Sequence, residues 1–232
     1  MLAIISHQDC LTHDSGAHHP ESASRLNAIN DQIIMSGMGY VVRHYDAPLA
    51  TREQLVLAHD PAYVDRVFDI APSEGSIYLD GDTVMSVGTL NAALRGAGAG
   101  VLGVDLVMKG EAGPVFCAIR PPGHHAEYDK AMGFCVFNNI AVAAAHAINE
   151  YGLDRVAIVD FDVHHGNGTE DIFKAEPRVL FCSSFQHPFY PYTGHESDTK
   201  NLVSVPLAAG ADGPAFRKAI SEHWLPALNA FK

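Results

Sequence analysis

The sequence predicts an α/β fold, a single three-layer domain whose mostly parallel central sheet is flanked by helices. Three observations predict it. Apolar, β-branched runs alternate with segments of helical period along all 232 residues, as strand–helix–strand units do. Val156-Ala-Ile-Val159 is a continuous apolar run, expected of a strand buried on both faces of a parallel sheet. The most polar clusters, at residues 120–125, 160–167 and 183–192, each follow such a run. Ligands bind outside the carboxyl ends of parallel strands, so these clusters should converge on one rim. With no linker, repeat or low-complexity tract, residues 1–232 are read as one domain.

In order, residues 2–5 form a short apolar strand that runs into a polar loop, residues 7–19. Pro20-Glu-Ser-Ala-Ser24 opens a helix to about Met35, with Leu26, Ile29, Ile33 and Ile34 at helical spacing and Gly37 as its stop. A strand follows over residues 41–45. Thr51 and Gln54 have the spacing of a capping box, and Pro61 suits the first turn of the next helix. Residues 73–82 read as a loop. Residues 84–108 read as a long Ala/Gly-rich helix able to pack close to a sheet, although its glycines weaken helix propensity. A strand at 115–119 ends in Arg120-Pro-Pro-Gly-His-His125. Residues 139–151 form a helix with Ile140, Ala143, Ala144 and Ile148 on one side. The strand at 156–160 is followed by a short helix at 169–173, a strand at 179–183, a long aromatic loop at 185–199 and a strand at 202–205. A last helix spans 212–231, with Pro214 early in it and Pro226 expected to kink it.

Composition narrows the function. The net charge is −12, from 15 basic and 27 acidic residues, and no Lys/Arg cluster offsets it. That argues against nucleic acid as a partner and leaves cationic or neutral small ligands and basic peptides. Cys10, Cys117, Cys135 and Cys182 form no C-x-x-C and read as reduced thiols. The first residues carry no charged leader pattern, and no uncharged apolar run reaches membrane-spanning length; the expectation is a cytoplasmic protein without a membrane partner. Nothing in the sequence signals an oligomeric state.

Fourteen histidines are many, and three adjacent pairs, His18-His19, His124-His125 and His164-His165, point to a site. In Asp160-Phe-Asp-Val-His164 the alternating residues Asp160, Asp162 and His164 should share a face where the strand ends. Carboxylate and imidazole at i, i+2 suit Zn²⁺ or a neighbouring first-row ion, which generally takes three protein ligands in a hydrolytic site. Asp160, one step back, can instead hold another group in place. His124 and His125, after a rigid Pro-Pro-Gly, could move a proton and support developing charge.

Arg120-Pro-Pro-Gly-His-His-Ala126, Gly133-Phe-Cys-Val-Phe-Asn-Asn139, Asp160-Phe-Asp-Val-His-His-Gly-Asn-Gly168 and Phe189-Tyr-Pro-Tyr-Thr-Gly194 resemble the motifs of the zinc-dependent histone deacetylase family, which includes the bacterial deacetylase-like amidohydrolases and acetylpolyamine amidohydrolases. His18-His-Pro-Glu-Ser-Ala-Ser-Arg-Leu26 and Ala58-His-Asp-Pro-Ala-Tyr-Val64 match its N-terminal motifs. The resemblance implies an arginase/deacetylase-like fold and hydrolysis of the N-acetyl amide of an acetyl-lysine peptide or an acetylpolyamine by metal-activated water. It implies Asp162 and His164 as ligands of one catalytic zinc, His125 as general base oriented by Asn167, and His124 as its electrostatic partner, paired with Asp160. Gly133, Phe134 and Tyr190 would line the substrate tunnel, Asp82 would grip substrate at the rim, and Arg25 would lie by an internal acetate exit. Backbone carbonyls around Asp160, Asp162, His164, Ser183 and Ser184 would hold a structural potassium. The family's third zinc-ligating aspartate, its oxyanion-donating tyrosine and its last strands and helices are expected beyond Lys232.

Two other readings are weighed. An arginase-like dimanganese hydrolase wants a carboxylate where this chain has Gly166. A module that binds acetyl-lysine or acetylpolyamine without turnover needs only the tunnel. His13, His44, His59, His146, His187, His195 and His223 are read as ordinary histidines, His59 being the one whose motif marks it out.

Overall fold

A computed structural model describes residues 1–195 and 199–232. The elements run β1 (Leu2–Ser6), α1 (Asp9–Thr12), α2 (Ser24–Met35), β2 (Val42–Asp46), α3 (Arg52–Leu55), α4 (Pro61–Asp69), β3 (Ser76–Tyr78), β4 (Val84–Ser86), α5 (Thr89–Met108), β5 (Val115–Cys117), α6 (Asn139–Tyr151), β6 (Val156–Asp160), α7 (Asn167–Phe173), β7 (Val179–Gln186), β8 (Leu202–Leu207), α8 (Gly213–Ala219) and α9 (Leu225–Phe231). Parallel strands flanked by helices make this α/β, as the alternation predicts.

The strands do not form one sheet. Two parallel three-stranded sheets occur, β2-β1-β5 and β6-β7-β8, with an antiparallel β3-β4 hairpin beside them. Consequently β6 pairs only with β7 among the described strands. The expectation that residues 156–159 are buried on both faces is therefore corrected: Ile158 is buried, but Ala157 and Val159 are exposed. Of the parallel strands the most deeply buried is β7, buried from Val179 to Phe185, which has a neighbour on either side. Ile140, expected on the packed side of α6, is exposed too. It lies with Pro122, Gly123, His124, Ile158 and Val159 along a groove of about 310 Å³ beside β6.

The local signals explain most element ends. Asn138 caps α6 by accepting from the Ala141 N–H, and Gly152 ends that helix in a left-handed conformation. Thr51 and Gln54 form the capping box of α3, and Asp60 caps α4 ahead of Pro61. Helix α2 begins only at Ser24, after the polar loop. The segment expected as one helix from Val84 is hairpin strand β4 followed by α5. Helix α5 is the one described helix long and apolar enough to cross a membrane by length and composition, and more than half of it is buried inside the protein. Its small residues allow close packing: a Cβ at Gly98 would sit 2.0 Å from the Pro48 carbonyl oxygen, and one at Gly100 3.0 Å from Ala143 Cβ. The last helix is interrupted by a π-helical turn, Ile220–Trp224, directly before Pro226, which cannot donate to the ladder.

Candidate active site

The strand ends do converge. β5 leads into residues 120–125, and the loop is anchored at its start by Arg120, which is 1% exposed and forks onto Glu21 with Nε–Oε1 2.7 Å and Nη2–Oε2 2.6 Å. The other face of that guanidinium donates to the carbonyls of Cys10 and His13. His13 and Ser15 complete this buried cluster around Glu21. At its far end the loop is tied to α7, where the N–H groups of Gly168 and Thr169 donate to the His124 carbonyl.

Between those anchors the two imidazoles stand with ring centroids 4.0 Å apart, each backed by a different partner. His124 Nδ1 meets Asp160 Oδ2 at 2.9 Å; His125 Nδ1 meets Asn167 Oδ1 at 2.7 Å. Burial alone would lower the His124 pKa, but the Asp160 carboxylate more than offsets it and the net shift is upward. Asp160 shifts the opposite way, down despite burial, because of the same pair. His125 is pushed down to about 4 by burial and by the neighbouring His124 charge. Adjacent groups driven apart in this way are suited to opposite halves of a proton transfer.

Beyond Asp160 the chain leaves the strand and turns, so Asp160, Asp162 and His164 are not simply lined up on one face. Asp160 points inward to His124. Asp162 and His164 open into the cleft, with His164 Nδ1 3.0 Å from Asp162 Oδ1. Carboxylate oxygen and imidazole nitrogen are donor types that zinc takes, and here two of them stand side by side. Among the described residues no group of three His, Cys, Asp or Glu could hold a metal. The donor set therefore fits two of the three positions of a hydrolytic zinc site. The dimanganese arrangement lacks its further carboxylate: the position is Gly166, where a Cβ would lie 2.5 Å from Asp160 Oδ2.

A cleft of about 330 Å³ brings together His124, His125, Asp162, His164, Gly133, Phe134, Tyr190, Asp82 and Arg25. Asp160 and Asn167 stand behind it, holding the two imidazoles. Gly133 has a positive φ of 57°, and any Cβ on it would be 2.5 Å from His125 Cδ2, so the close approach requires glycine. Phe134 follows in the same left-handed region, its N–H donating to Thr83 Oγ1 and its ring edge-on to His19 at 4.5 Å. The Tyr190 ring is edge-on to His125 at 5.1 Å. Burial and the Asp80 charge raise the Asp82 pKa at this rim.

Ser183 and Ser184 are buried on β7, and Ser183 pairs in register with Asp160. The Ser183 hydroxyl meets His165 Nδ1 at 3.0 Å, while His165 Nε2 meets Glu170 at 2.5 Å, so this histidine is wholly internal. His59 is internal as well. Its Nδ1–H donates to the Glu127 carbonyl, its Nε2 accepts from the Asn138 N–H, and burial lowers its pKa to about 4. Four further residues, none of them among the expected site residues, take part. Glu21 and Arg120 meet across 99 residues, Glu127 touches Asn167, and Phe189 stacks on His164 at 5.2 Å.

Residues 19–232 match the histone deacetylase domain family. The chain belongs to the histone deacetylase family. A probable deacetylase of Archaeoglobus fulgidus is 34% identical over all of this chain and 66% of its own length. The histone deacetylase-like amidohydrolase of Pseudomonas aeruginosa is 36% identical over 93% of this chain and 58% of its own. Human polyamine deacetylase HDAC10 is 37% identical over 84% of this chain and 31% of its own length. Among solved structures, the HD domain of HDA15 superposes with a TM-score of 0.93 at 33% identity, covering 99% of this chain and 69% of that one. The family fold thus agrees with the α/β architecture, and the chain spans about a third to two thirds of the three relatives named.

Proposed function

We propose that the chain carries the greater part of a zinc-dependent deacetylase that hydrolyses the N-acetyl amide of an acetylated aliphatic amine. The observation that carries this reading is the pair of imidazoles, His124 on Asp160 and His125 on Asn167, standing in one cleft beside Asp162 and His164. Asp162 and His164 would hold the zinc, with a third donor from outside the described residues. When bound, zinc supplies Lewis-acid polarisation of the amide and a water made acidic enough to deprotonate near neutral pH.

The remaining work falls to this chain. His125 donates Nδ1–H to Asn167, which leaves Nε2 with a free lone pair to take the proton of the attacking water. Its lowered pKa keeps it unprotonated at neutral pH, as a base must be. His124, whose pKa Asp160 raises and whose protonated form it favours, supports negative charge as the carbonyl carbon becomes tetrahedral. The proton held on His125 then goes to the departing amine. Phe134 and Tyr190 offer aromatic faces to an aliphatic stem, and Asp82 offers a carboxylate at the mouth. The groove beside β6 suits a further parallel strand, which would end near Asp162 and could bring the third donor. The carbonyls about Asp160, Asp162, His164, Ser183 and Ser184 are a reasonable seat for potassium, supported by the β6–β7 register.

Two substrate classes are proposed: acetyl-lysine peptides and acetylpolyamines. The net charge of −12 suits an acetylpolyamine, whose remaining amines are cationic, and an acetyl-lysine flanked by basic residues. A module that binds these without turnover is the second reading, and the two-donor set favours it. Assaying the full reading frame, loaded with zinc, on an acetyl-lysine peptide and on acetylspermidine separates them. Hydrolysis of either supports the enzyme; binding without hydrolysis supports the module.

A further inference from the structure

We infer that Glu127 is a positioning residue that fixes the tautomer of His125 by setting which way the Asn167 side chain faces. This rests on the deacetylase reading for its catalytic consequence, but not for its structural content. Asn167 Nδ2 donates to Glu127 Oε1 at 2.8 Å, while Asn167 Oδ1 meets His125 Nδ1 at 2.7 Å. A side-chain amide has one accepting end and one donating end, and an ionised carboxylate can only accept. Glu127 therefore requires the NH₂ of Asn167 to face it, which turns the oxygen toward His125. An oxygen there accepts only, so His125 must carry its proton on Nδ1 and keep Nε2 free.

Glu127 is itself held. Lys130 Nζ takes its other oxygen at 3.0 Å, its N–H donates to the Lys130 carbonyl, and its own carbonyl accepts from His59. Without Glu127 the amide has weak guidance: Nδ2 keeps only the Met132 sulfur at 3.3 Å. A flipped Asn167 would present NH₂ to His125, demand an acceptor at Nδ1, and move the proton to Nε2, where it blocks the base.

Two measurements test this. Nitrogen chemical shifts of the His125 ring, read near neutral pH with and without zinc, report the tautomer directly. The parent should be Nδ1–H, Glu127→Gln should stay mostly so because it keeps an accepting oxygen, and Glu127→Ala should be a mixture. Kinetics of the zinc-loaded protein should show kcat down about tenfold in Glu127→Ala with KM unchanged. The loss should disappear when Glu127→Ala is made in an Asn167→Asp background, because a carboxylate has no wrong end. An unaltered Nδ1–H tautomer in Glu127→Ala, or the same fold-loss in both backgrounds, overturns the inference. If the parent hydrolyses nothing, the functional reading fails, and the ring shifts still decide the role of Glu127.

Discussion

In the proposed reaction His125 is the base: its Nδ1 is engaged by Asn167, and burial beside His124 lowers its pKa to about 4. Replacing it with alanine should cut turnover by about 10²–10⁴-fold while the protein still binds one zinc per chain, measured by metal analysis after dialysis. Loss of the metal would make it a ligand instead. His59 makes a different prediction. It is buried and neutral, with its pKa lowered from 6.5 to about 4, so between those values the unfolded chain binds a proton that the folded chain refuses. Stability from this residue is present above 6.5 and is lost as pH falls toward 4, on the order of 3 kcal/mol. His125 adds a slope of the same sign, so His59→Gln should reduce, not abolish, the fall in urea midpoint across that window. An unchanged slope would mean that His59 titrates normally in the folded protein. Such roles were only partly legible in the sequence. The resemblance supplied the partners of His124 and His125, but nothing in a motif says that His59 bridges Glu127 to Asn138 or that Phe189 stacks on His164.

Among the elements, α5 shows how composition and packing trade against each other. Its glycines lower helix propensity, yet Gly98 is where the helix meets the Pro48 carbonyl. Gly98→Ala should destabilise the protein by about 2–3 kcal/mol, whereas Gly39→Ala, with nothing within 4 Å, should change stability little. Equal effects in chemical denaturation would refute the close contact as the cause. Element starts marked by local chemistry, such as the Thr51–Gln54 box of α3 and Pro61 in the first turn of α4, were readable from residue types alone. The β3-β4 hairpin was not, because three-residue strands are too short to show a period. Nor was the exposure of Ala157 and Val159, since an apolar run reads the same at the edge of a sheet as at its centre.

Across the whole molecule, the N-terminal loop and the His124–His125 loop are joined by the Glu21–Arg120 pair, buried and separated by 99 residues. Burial would raise the Glu21 pKa, but hydrogen bonds from His13 and Arg120 and the Arg120 charge hold it well below 4.5. Its contribution is therefore complete above 4.5 and is lost as pH falls through the folded value. Glu21→Ala, which strands the buried guanidinium, should cost about 3–5 kcal/mol at neutral pH and should flatten the acid limb of the stability profile. The separation of the parallel strands into two sheets lay outside what periodicity can report, although the convergence of their polar ends was correctly anticipated.

In the proposed enzyme Asp162 and His164 seat a catalytic zinc beside a neutral, Asn167-oriented His125. This is tested most directly by hydrolysis of an acetyl-lysine peptide and acetylspermidine by the full reading frame, titrated with zinc after chelation. The account predicts amine release that rises to a plateau at one zinc per chain and is absent from Asp162→Ala and His164→Ala. Failure of the zinc-loaded protein to release amine from either substrate, or a plateau at two metal ions, would contradict it.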